Sequence, residues 1–261
     1  MVSLATQAEL RAVQTLPFCY VCGRTFTAGD MLDRDHIPAK AVFDKRDRMP
    51  SLWLPTHKSC NADHGVLDQK IGQLIALRRY QVPTRRDRQL QFRIFRPDLG
   101  AVENLDIRAV VWRWIRGFHA ALYREPLPTT RFMSSLQTPF PSGVATAVGF
   151  QIAPLPQQHL AFVETIKVQR AKRNLDRIRS NNGKLTYECV WCQADNGGPW
   201  LCIFALDLYD WKDLGLTPGQ PARGCAGFYK LESDLPPTHG TRAVTTPIIV
   251  PNSDRLDPFV P

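Results

Sequence analysis

Hydrophobic and polar residues in the first half of the chain recur mostly with the period of a helix. Apolar positions three and four residues apart predict an amphipathic helix over residues 4–14, another over 66–80 and a third over 107–124. Pro83 follows the second and Pro126 the third, and proline cannot continue a helix. Between the first two helices the chain is instead dense in Cys, His, Asp and Pro.

The second half of the chain has the shorter period of a β-strand. Two runs, LTYECVWC over residues 185–192 and WLCIFALDLY over 200–209, each follow a glycine-containing turn signal, which predicts a β-hairpin with further strands after it. Residues 159–180 are basic and form a helix or a partly extended segment. A stretch rich in Pro, Ser and Thr over residues 126–158 resembles an inter-domain connection. The pattern as a whole predicts an α+β chain.

Four residues in the Cys- and His-rich segment have the spacing of a zinc site. Cys19 and Cys22 enclose two residues, and Gly23 then accepts the tight backbone turn of a zinc knuckle. His57 and Cys60 have the same spacing. Ordinary buried thiols and a surface histidine are the alternative, but two half-sites complete a closed Cys₃His set. With all four positions taken by the protein, the Zn²⁺ would be structural.

A second motif lies between the two zinc half-sites. The run Asp33-Arg34-Asp35-His36-Ile37-Pro38 precedes the second half-site, and Asn61 directly follows its last cysteine. A CxxCG knuckle, then DHIP, then HxxCN leading into a helix is similar to the HNH (ββα-metal) endonuclease superfamily, in which a β-hairpin and a helix grip one divalent metal ion. The motifs that carry the resemblance lie within residues 19–65, about a fifth of the chain.

The resemblance implies a role for each of these residues. His36 would be the general base that takes a proton from water, and Asp35 and Asn61 would hold the catalytic ion. Asp35 would point away from its strand neighbour His36. Oxygen ligands suit Mg²⁺ or Mn²⁺, whereas thiolates keep Zn²⁺ in the knuckle. His64, three residues after Asn61 on the same helix face, is assigned to the site as a metal ligand or a phosphate contact.

One part of the family pattern has no clear counterpart. The middle asparagine that orients the base is missing, and the segment MPSLWLPTH offers only Ser51. The assigned residues also have structural alternatives. Asp35 could be a turn residue, Asn61 a helix N-cap and His36 a buried histidine with satisfied hydrogen bonds.

The charge balance favours a polyanionic partner. Lys and Arg number 33 against 24 Asp and Glu, for a net charge of +9 and a pI near 9.4, and each phosphate that is neutralised releases condensed counterions. Arginines that follow the predicted nuclease helix are expected to contact phosphates, with a solvated loop as the alternative. They are Arg78, Arg79, Arg85, Arg86 and Arg88, together with Arg93 and Arg96. A second basic stretch, in which either role is open, comprises Lys167, Arg170, Lys172, Arg173, Arg177 and Arg179.

A second CxxC motif, Cys189 to Cys192, is predicted to be structural. It lacks the knuckle glycine, and in a strand its two cysteines face opposite sides. Core thiols are therefore favoured over a second zinc site completed by Cys202 and Cys225.

Two tryptophans on the third helix have two possible uses. Trp112 and Trp114, with Arg113 and Arg116, could stack on bases. Helical spacing favours a core position for Trp114.

These observations predict three segments. Residues 1–80 form a zinc-stabilised ββα-metal (HNH) nuclease domain, residues 81–158 an Arg-rich helical segment and linker, and residues 159–261 a β-rich C-terminal domain for recognition or regulation. The expected function is hydrolysis of phosphodiester bonds in DNA, with RNA as an open alternative. One site cuts one strand, so double-strand cleavage would need a homodimer or two binding events. By family habit, we expect a bacterial or phage protein of restriction or anti-phage defence.

Two other functions compete with this one. The first is a zinc-stabilised nucleic-acid-binding protein without catalysis, and the second is a nuclease that is silent until a regulatory protein or ligand binds the C-terminal domain. No apolar run approaches the roughly 18 residues of a membrane span, and the N-terminus lacks the apolar core of a signal peptide. The expected location is therefore the cytoplasm, with no membrane contact.

Overall fold

The fold is a mixed α+β arrangement, as predicted, with sheets and a few helices. The computed structural model describes residues 1–62, 64–79, 95–96, 101–102, 107–127, 157–194, 197–198, 200–209, 225–229, 231, 233 and 235–245. The helices are α1 (Gln7–Ala12), α2 (Lys58–Ala62), α3 (Gly65–Arg79), α4 (Ile107–Tyr123) and α5 (Gln157–Ala171). The strands are β1 (Ser3–Leu4), β2 (Leu32–His36), β3 (Trp53–His57), β4 (Phe95–Arg96), β5 (Ala101–Val102), β6 (Asp176–Ser180), β7 (Leu185–Ala194), β8 (Leu201–Leu208), β9 (Cys225–Tyr229) and β10 (Arg242–Thr245).

The N-terminal part is built around an antiparallel hairpin. Strand β2 pairs with β3, with Leu32 opposite His57 and His36 opposite Trp53. Helix α2 begins directly after β3 and α3 follows it, so the chain order here is strand, strand, helix. Short 3-10 turns at Lys40–Val42 and Lys45–Asp47 lie in the connection between the strands.

The C-terminal part is a six-stranded sheet. Five strands lie in the order β1-β6-β7-β8-β9, and the sixth, β10, pairs with the C-terminal end of β7. The predicted hairpin over residues 185–209 is confirmed, because β7 and β8 pair antiparallel along most of their length. The sheet also takes in the N-terminal β1, which pairs parallel with β6. The basic segment over 159–180 is divided between helix α5 and strand β6.

Helix α4 lies at the centre of the molecule. Every residue from Val110 to Tyr123 is buried, and a helix buried on all sides must have packing partners all round it. One continuous apolar cluster joins side chains of the N-terminal segment, α4 and the C-terminal sheet, with Leu54, Ile115 and Phe204 as examples from each. The three segments predicted from the sequence therefore share a core.

The tryptophans and the second CxxC motif belong to this packing. Trp114 is buried as predicted, and so is Trp112, so neither offers a face to a base. Cys189 and Cys192 are buried in separate apolar clusters on opposite faces of the sheet, which confirms their prediction as core thiols. The side chain of Cys225 lies outside the described residues.

Buried polar groups tie the termini to this core. The carboxylate of Asp176 accepts hydrogen bonds from the backbone N–H of Val2 (2.6 Å) and of Thr241 (2.7 Å), and from the hydroxyl of Tyr123 (3.0 Å). On α4, His119 contacts the Tyr229 hydroxyl through Nδ1 at 2.9 Å. Burial lowers the pKa of His119, so it is neutral in the folded protein.

A glycine sets how closely α4 approaches the hairpin. A Cβ at Gly117 would lie 2.4 Å from Cδ1 of Ile37, the residue after His36, whereas a Cβ at the helical Gly65 would meet nothing within 4 Å. Contacts this short require the buried Ile37 side chain or one of the two elements to shift. Gly117 therefore allows α4 to pack directly beside the end of β2.

We expect Gly117→Ala to destabilise the protein by about 1–3 kcal/mol, because the overpacking outweighs the gain in helix propensity. The matched control, Gly65→Ala, should be neutral or stabilising by up to about 1 kcal/mol. Urea unfolding followed by circular dichroism measures both. Equal stability of the two variants would contradict the close approach.

Candidate functional site

The four predicted zinc ligands converge. The donor atoms of Cys19, Cys22, His57 and Cys60 all lie within 4.8 Å of one another, and no other such group of three or more Cys, His, Asp or Glu side chains occurs among the described residues. Around a tetrahedral zinc ion with Zn–S bonds of about 2.3 Å, ligand atoms are about 3.8 Å apart. The cluster can therefore bind a metal ion such as zinc with little movement.

The backbone explains why the first two cysteines share a direction. The N–H of Gly23 donates to the carbonyl of Cys19 at 2.8 Å, and the N–H of Cys19 donates to the carbonyl of Arg24 at 2.9 Å. Gly23 has a φ of +76°, a conformation that glycine adopts without strain. The result is a tight turn with both thiols on one side.

A carboxylate outside the ligand set orients the histidine. His57 Nδ1 lies 3.3 Å from Cys22 Sγ, and its Nε2 lies 3.5 Å from Asp30 Oδ2. Thr27 fixes that carboxylate through its backbone N–H (2.7 Å) and its hydroxyl (3.0 Å). The carboxylate thus favours a proton on Nε2 and leaves Nδ1 for the metal. Asp30 was not among the site residues predicted from the sequence, in which its position in a turn before the hairpin is the only feature that distinguishes it.

The electrostatics of the three cysteines are compatible with a bound cation. Burial raises the pKa of Cys19, and burial together with the neighbouring Cys19 and Cys22 raises the pKa of Cys60 to about 12. Burial also opposes ionisation of Cys22, but hydrogen bonds from Arg24, Cys19 and His57 lower its pKa to about 7. Three thiolates this close repel one another, and a bound Zn²⁺ removes that repulsion.

The predicted catalytic residues fall into two environments, and the first is exposed. Asn61 Nδ2 donates to Asp33 Oδ2 at 2.9 Å, which joins helix α2 to strand β2. This hydrogen bond lowers the pKa of Asp33, as does the backbone N–H of Arg34. The carboxylate that accepts the hydrogen bond from Asn61 is thus Asp33, whereas the residue predicted from the sequence was Asp35.

Asp35 lies in the second environment, which is buried. Its side chain is 4% exposed, and its Oδ2 accepts a hydrogen bond from the Tyr20 hydroxyl at 2.5 Å. Arg113 Nη1, from the centre of α4, lies 3.7 Å from the same oxygen, and Arg113 Nη2 pairs with Asp68 of α3. Burial raises the pKa of Asp35, and the guanidinium of Arg113 opposes that shift. A carboxylate held in this way stabilises the fold around the hairpin.

His36 is half-buried at the end of β2. Burial, followed by the nearby charges of Lys40 and Arg34, lowers its pKa to about 4. The imidazole is therefore neutral at neutral pH and able to accept a proton. Asp33 and His36 are also close enough to affect each other's pKa, although they point to opposite faces of the strand.

The remaining predicted residues are placed as follows. His64 lies between α2 and α3, where its backbone N–H donates to the carbonyl of Asn61 at 3.2 Å. The hydroxyl of Ser51, the only substitute for the missing asparagine, lies 3.8 Å from Met49 Sδ. Arg85, Arg86, Arg88 and Arg93 lie outside the described residues, and only the backbone is described for Arg78, Arg79 and Arg96.

Part of the second basic stretch is neutralised within the protein. Arg170 Nε and Arg177 Nε each donate at 2.8 Å to a different oxygen of Glu188, which is buried. Lys167 pairs with Glu164 on α5. Arg113 and Arg116 of α4 are also buried, and Arg116 donates to the carbonyl of Val21. These arginines hold elements together.

Comparisons with protein-family models, with curated proteins and with solved structures gave no significant match for this chain. Within the described part of the chain, no helix is both long and apolar enough to cross a membrane.

We expect one zinc ion per chain in the purified wild type, and a loss of that zinc in Cys60→Ser. Hydroxyl is a poor zinc ligand compared with thiolate, and a three-ligand site no longer closes around the ion. Elemental analysis by mass spectrometry measures the metal. The matched control is Cys192→Ala, which removes a buried thiol of the sheet and should keep the zinc. Zinc retained in both variants would contradict the site.

Proposed function

We propose that this chain is a metal-dependent endonuclease of the HNH type that hydrolyses phosphodiester bonds in DNA. The observation that carries the proposal is the contact between Asp33 and Asn61 near His36, on a hairpin and helix joined through the Cys₃His cluster. A neutral imidazole next to exposed oxygen donors is the combination that hydrolysis of a phosphodiester requires.

The donor chemistry of the exposed pair fits a hard divalent cation. Carboxylate and amide oxygens are ligands of Mg²⁺ and Mn²⁺, and Mg²⁺ usually takes only one or two carboxylates and completes its shell with water and substrate phosphate. Asp33 supplies the carboxylate, and Asn61 supplies its amide oxygen when the amide turns. A bound cation of this kind would stabilise the charge that develops on the phosphate oxygens.

His36 is proposed as the general base. Because its pKa is about 4, it is deprotonated at neutral pH, and its free nitrogen can take a proton from the attacking water. An anionic phosphodiester beside Lys40 and Arg34 offsets the charges that lower this pKa, so substrate binding makes the imidazole a stronger base.

The buried position of Asp35 favours Asp33 as the metal-binding carboxylate. A cation at Asp35 would have to displace Tyr20 and lie near the positive charge of Arg113. Asp33 is exposed and already meets Asn61. Asp35 would then support the strand that carries His36.

We expect His36→Ala to lower the rate of DNA cleavage at least about 100-fold, because removal of a general base typically costs a factor of 10² to 10⁴. Zinc content and DNA binding should be unchanged. Nicking of supercoiled plasmid with Mg²⁺ or Mn²⁺ measures the rate, and His239→Ala, which removes an exposed histidine of the C-terminal part, is the control.

One outcome would contradict the role of His36, and another would contradict the nuclease proposal itself. Full activity in His36→Ala would exclude His36 as the base. A wild type that binds DNA but nicks neither plasmid, single strands, branched DNA nor RNA with any divalent metal would favour a binding protein without catalysis. Cleavage that appears only after addition of a partner would instead identify a regulated nuclease.

We expect Asp33→Ala and Asp35→Ala to fail in different ways. Asp33→Ala should keep the wild-type free energy of unfolding within about 0.5 kcal/mol and lose metal-dependent cleavage, because the side chain is exposed. Asp35→Ala should lose about 3–5 kcal/mol of stability, because it leaves Arg113 without one of its buried partners. Urea unfolding and plasmid nicking separate the two. A stable Asp35→Ala without activity, beside a fully active Asp33→Ala, would assign the metal to Asp35.

A further inference from the structure

One face of the β2–β3 hairpin presents an arginine, a tryptophan and the proposed base together. Arg34 and His36 are two residues apart on β2 and so share a face, and Trp53 pairs directly with His36. The guanidinium carbon of Arg34 lies 4.9 Å from the centre of the Trp53 ring. Arg34 is exposed and Trp53 is half-buried, so the pair lies at the surface.

A second cation lies near the base. Lys40 begins the 3-10 turn that follows the strand, and its side chain is exposed. It lies close enough to His36 to act on the imidazole electrostatically, as Arg34 does. Two exposed cations that are close in sequence therefore lie near one half-buried histidine.

These two charges have no ion-pair partner among the described residues. Within the part of the chain that the structure describes, no carboxylate lies within ion-pair distance of Arg34 or Lys40, whereas Arg170 and Arg177 share the buried Glu188. An unpaired cation on an exposed face is free to bind an external anion. The contrast separates basic residues that hold the fold from those that are available to a ligand.

We propose that Arg34 and Lys40 bind the phosphodiester backbone of the nucleic-acid strand at the His36 face, with Trp53 as the platform that holds the Arg34 guanidinium. The inference rests on the proposed nuclease function and deepens it by naming where the strand lies. Phosphates of DNA and RNA share this chemistry, so the experiment includes both.

Trp53 makes Arg34 a better phosphate ligand than a free side chain would be. A guanidinium that packs on an aromatic face keeps the N–H donors of its edge directed away from the ring, where they can form paired hydrogen bonds to phosphate oxygens. The stacking also fixes a flexible side chain before the anion arrives, which reduces the entropy lost on binding.

The test measures binding separately from cleavage. In the full-length His36→Ala background, fluorescence anisotropy follows binding of a fluorescein-labelled DNA duplex, the matching single strand and an RNA of the same sequence, over a series of KCl concentrations. Each lost phosphate contact lowers the salt slope on duplex DNA by about 0.9 and weakens binding about fivefold near 0.15 M salt. We expect Arg34→Ala and Lys40→Ala each to show this loss, and the double variant to show both.

The chain contains a matched control for the arginine–tryptophan pair. Arg242 of β10 lies 6.0 Å from the ring of Trp200, on the sheet and away from the hairpin. Arg242→Ala should leave the salt slope unchanged, whereas Trp53→Ala should weaken binding and Trp53→Phe should restore part of it. Zinc content, measured for every variant, reports an intact hairpin.

The outcomes distinguish failure of this inference from failure of the nuclease proposal. If the parent binds nucleic acid and the wild type cleaves it, but Arg34→Ala/Lys40→Ala keeps the parental salt slope, the strand lies elsewhere and this inference alone is overturned. If the parent binds none of the three nucleic acids and the wild type cleaves none, both proposals fail. A preference for the RNA probe would support the phosphate-binding role of Arg34 and Lys40 and would indicate RNA, not DNA, as the substrate.

Discussion

The buried charge of Arg113 is the constraint on which the arrangement of the site depends. A guanidinium that is 1% exposed must find anions inside the protein, since burying it unpaired would cost several kcal/mol. It finds them on two other elements, Asp35 of β2 and Asp68 of α3. Burial raises the pKa of both carboxyls, and the guanidinium of Arg113 opposes that shift and favours their ionised form. Helix α4, the hairpin and α3 are therefore fixed relative to one another by electrostatics as well as by packing.

This constraint separates the two acidic residues of β2 into a buried and an exposed one. Asp33 and Asp35 lie on the same face of the strand, two residues apart, but Asp33 is exposed and Asp35 is buried. Asp35 is deep enough to reach Arg113 and Tyr20, while Asp33 remains at the surface and meets Asn61. The fold thus uses one carboxylate to hold the strand and leaves the next one available to a cation.

The zinc ligands could be predicted from sequence because each half-site is local. The turn at Cys19-Tyr20-Val21-Cys22 and the strand-to-helix step at His57–Cys60 each fix two donors through neighbouring backbone, so spacing alone carries the geometry. The α+β fold and the β7–β8 hairpin were predictable for the same reason, since alternation and turn signals are local too. The partner of Asn61 could not be predicted in this way. Asp35 is held by Arg113, which lies almost eighty residues away along the chain, and Asn61 contacts Asp33 instead. Sequence periodicity predicts that Arg113 lies on a helix, but it does not predict which elements pack against its side chain.

The roles of the basic residues also cannot be predicted from the sequence alone, whereas their contacts in the structure distinguish them. Composition alone gives a net charge of +9 and cannot separate cations that bind a ligand from cations that bind the protein. The contacts of each basic side chain distinguish these two groups. Glu188 is buried and must be compensated, so it holds Arg170 and Arg177, whereas Arg34 packs on a tryptophan and keeps its charge toward solvent. Among the described residues, Arg34 and Lys40 are exposed cations close to His36 that have no ion pair, which is where the proposed function would bring a phosphate to the base. Under the proposed function, we therefore expect nucleic-acid binding to depend more on these two cations near the imidazole than on the net charge of the whole chain.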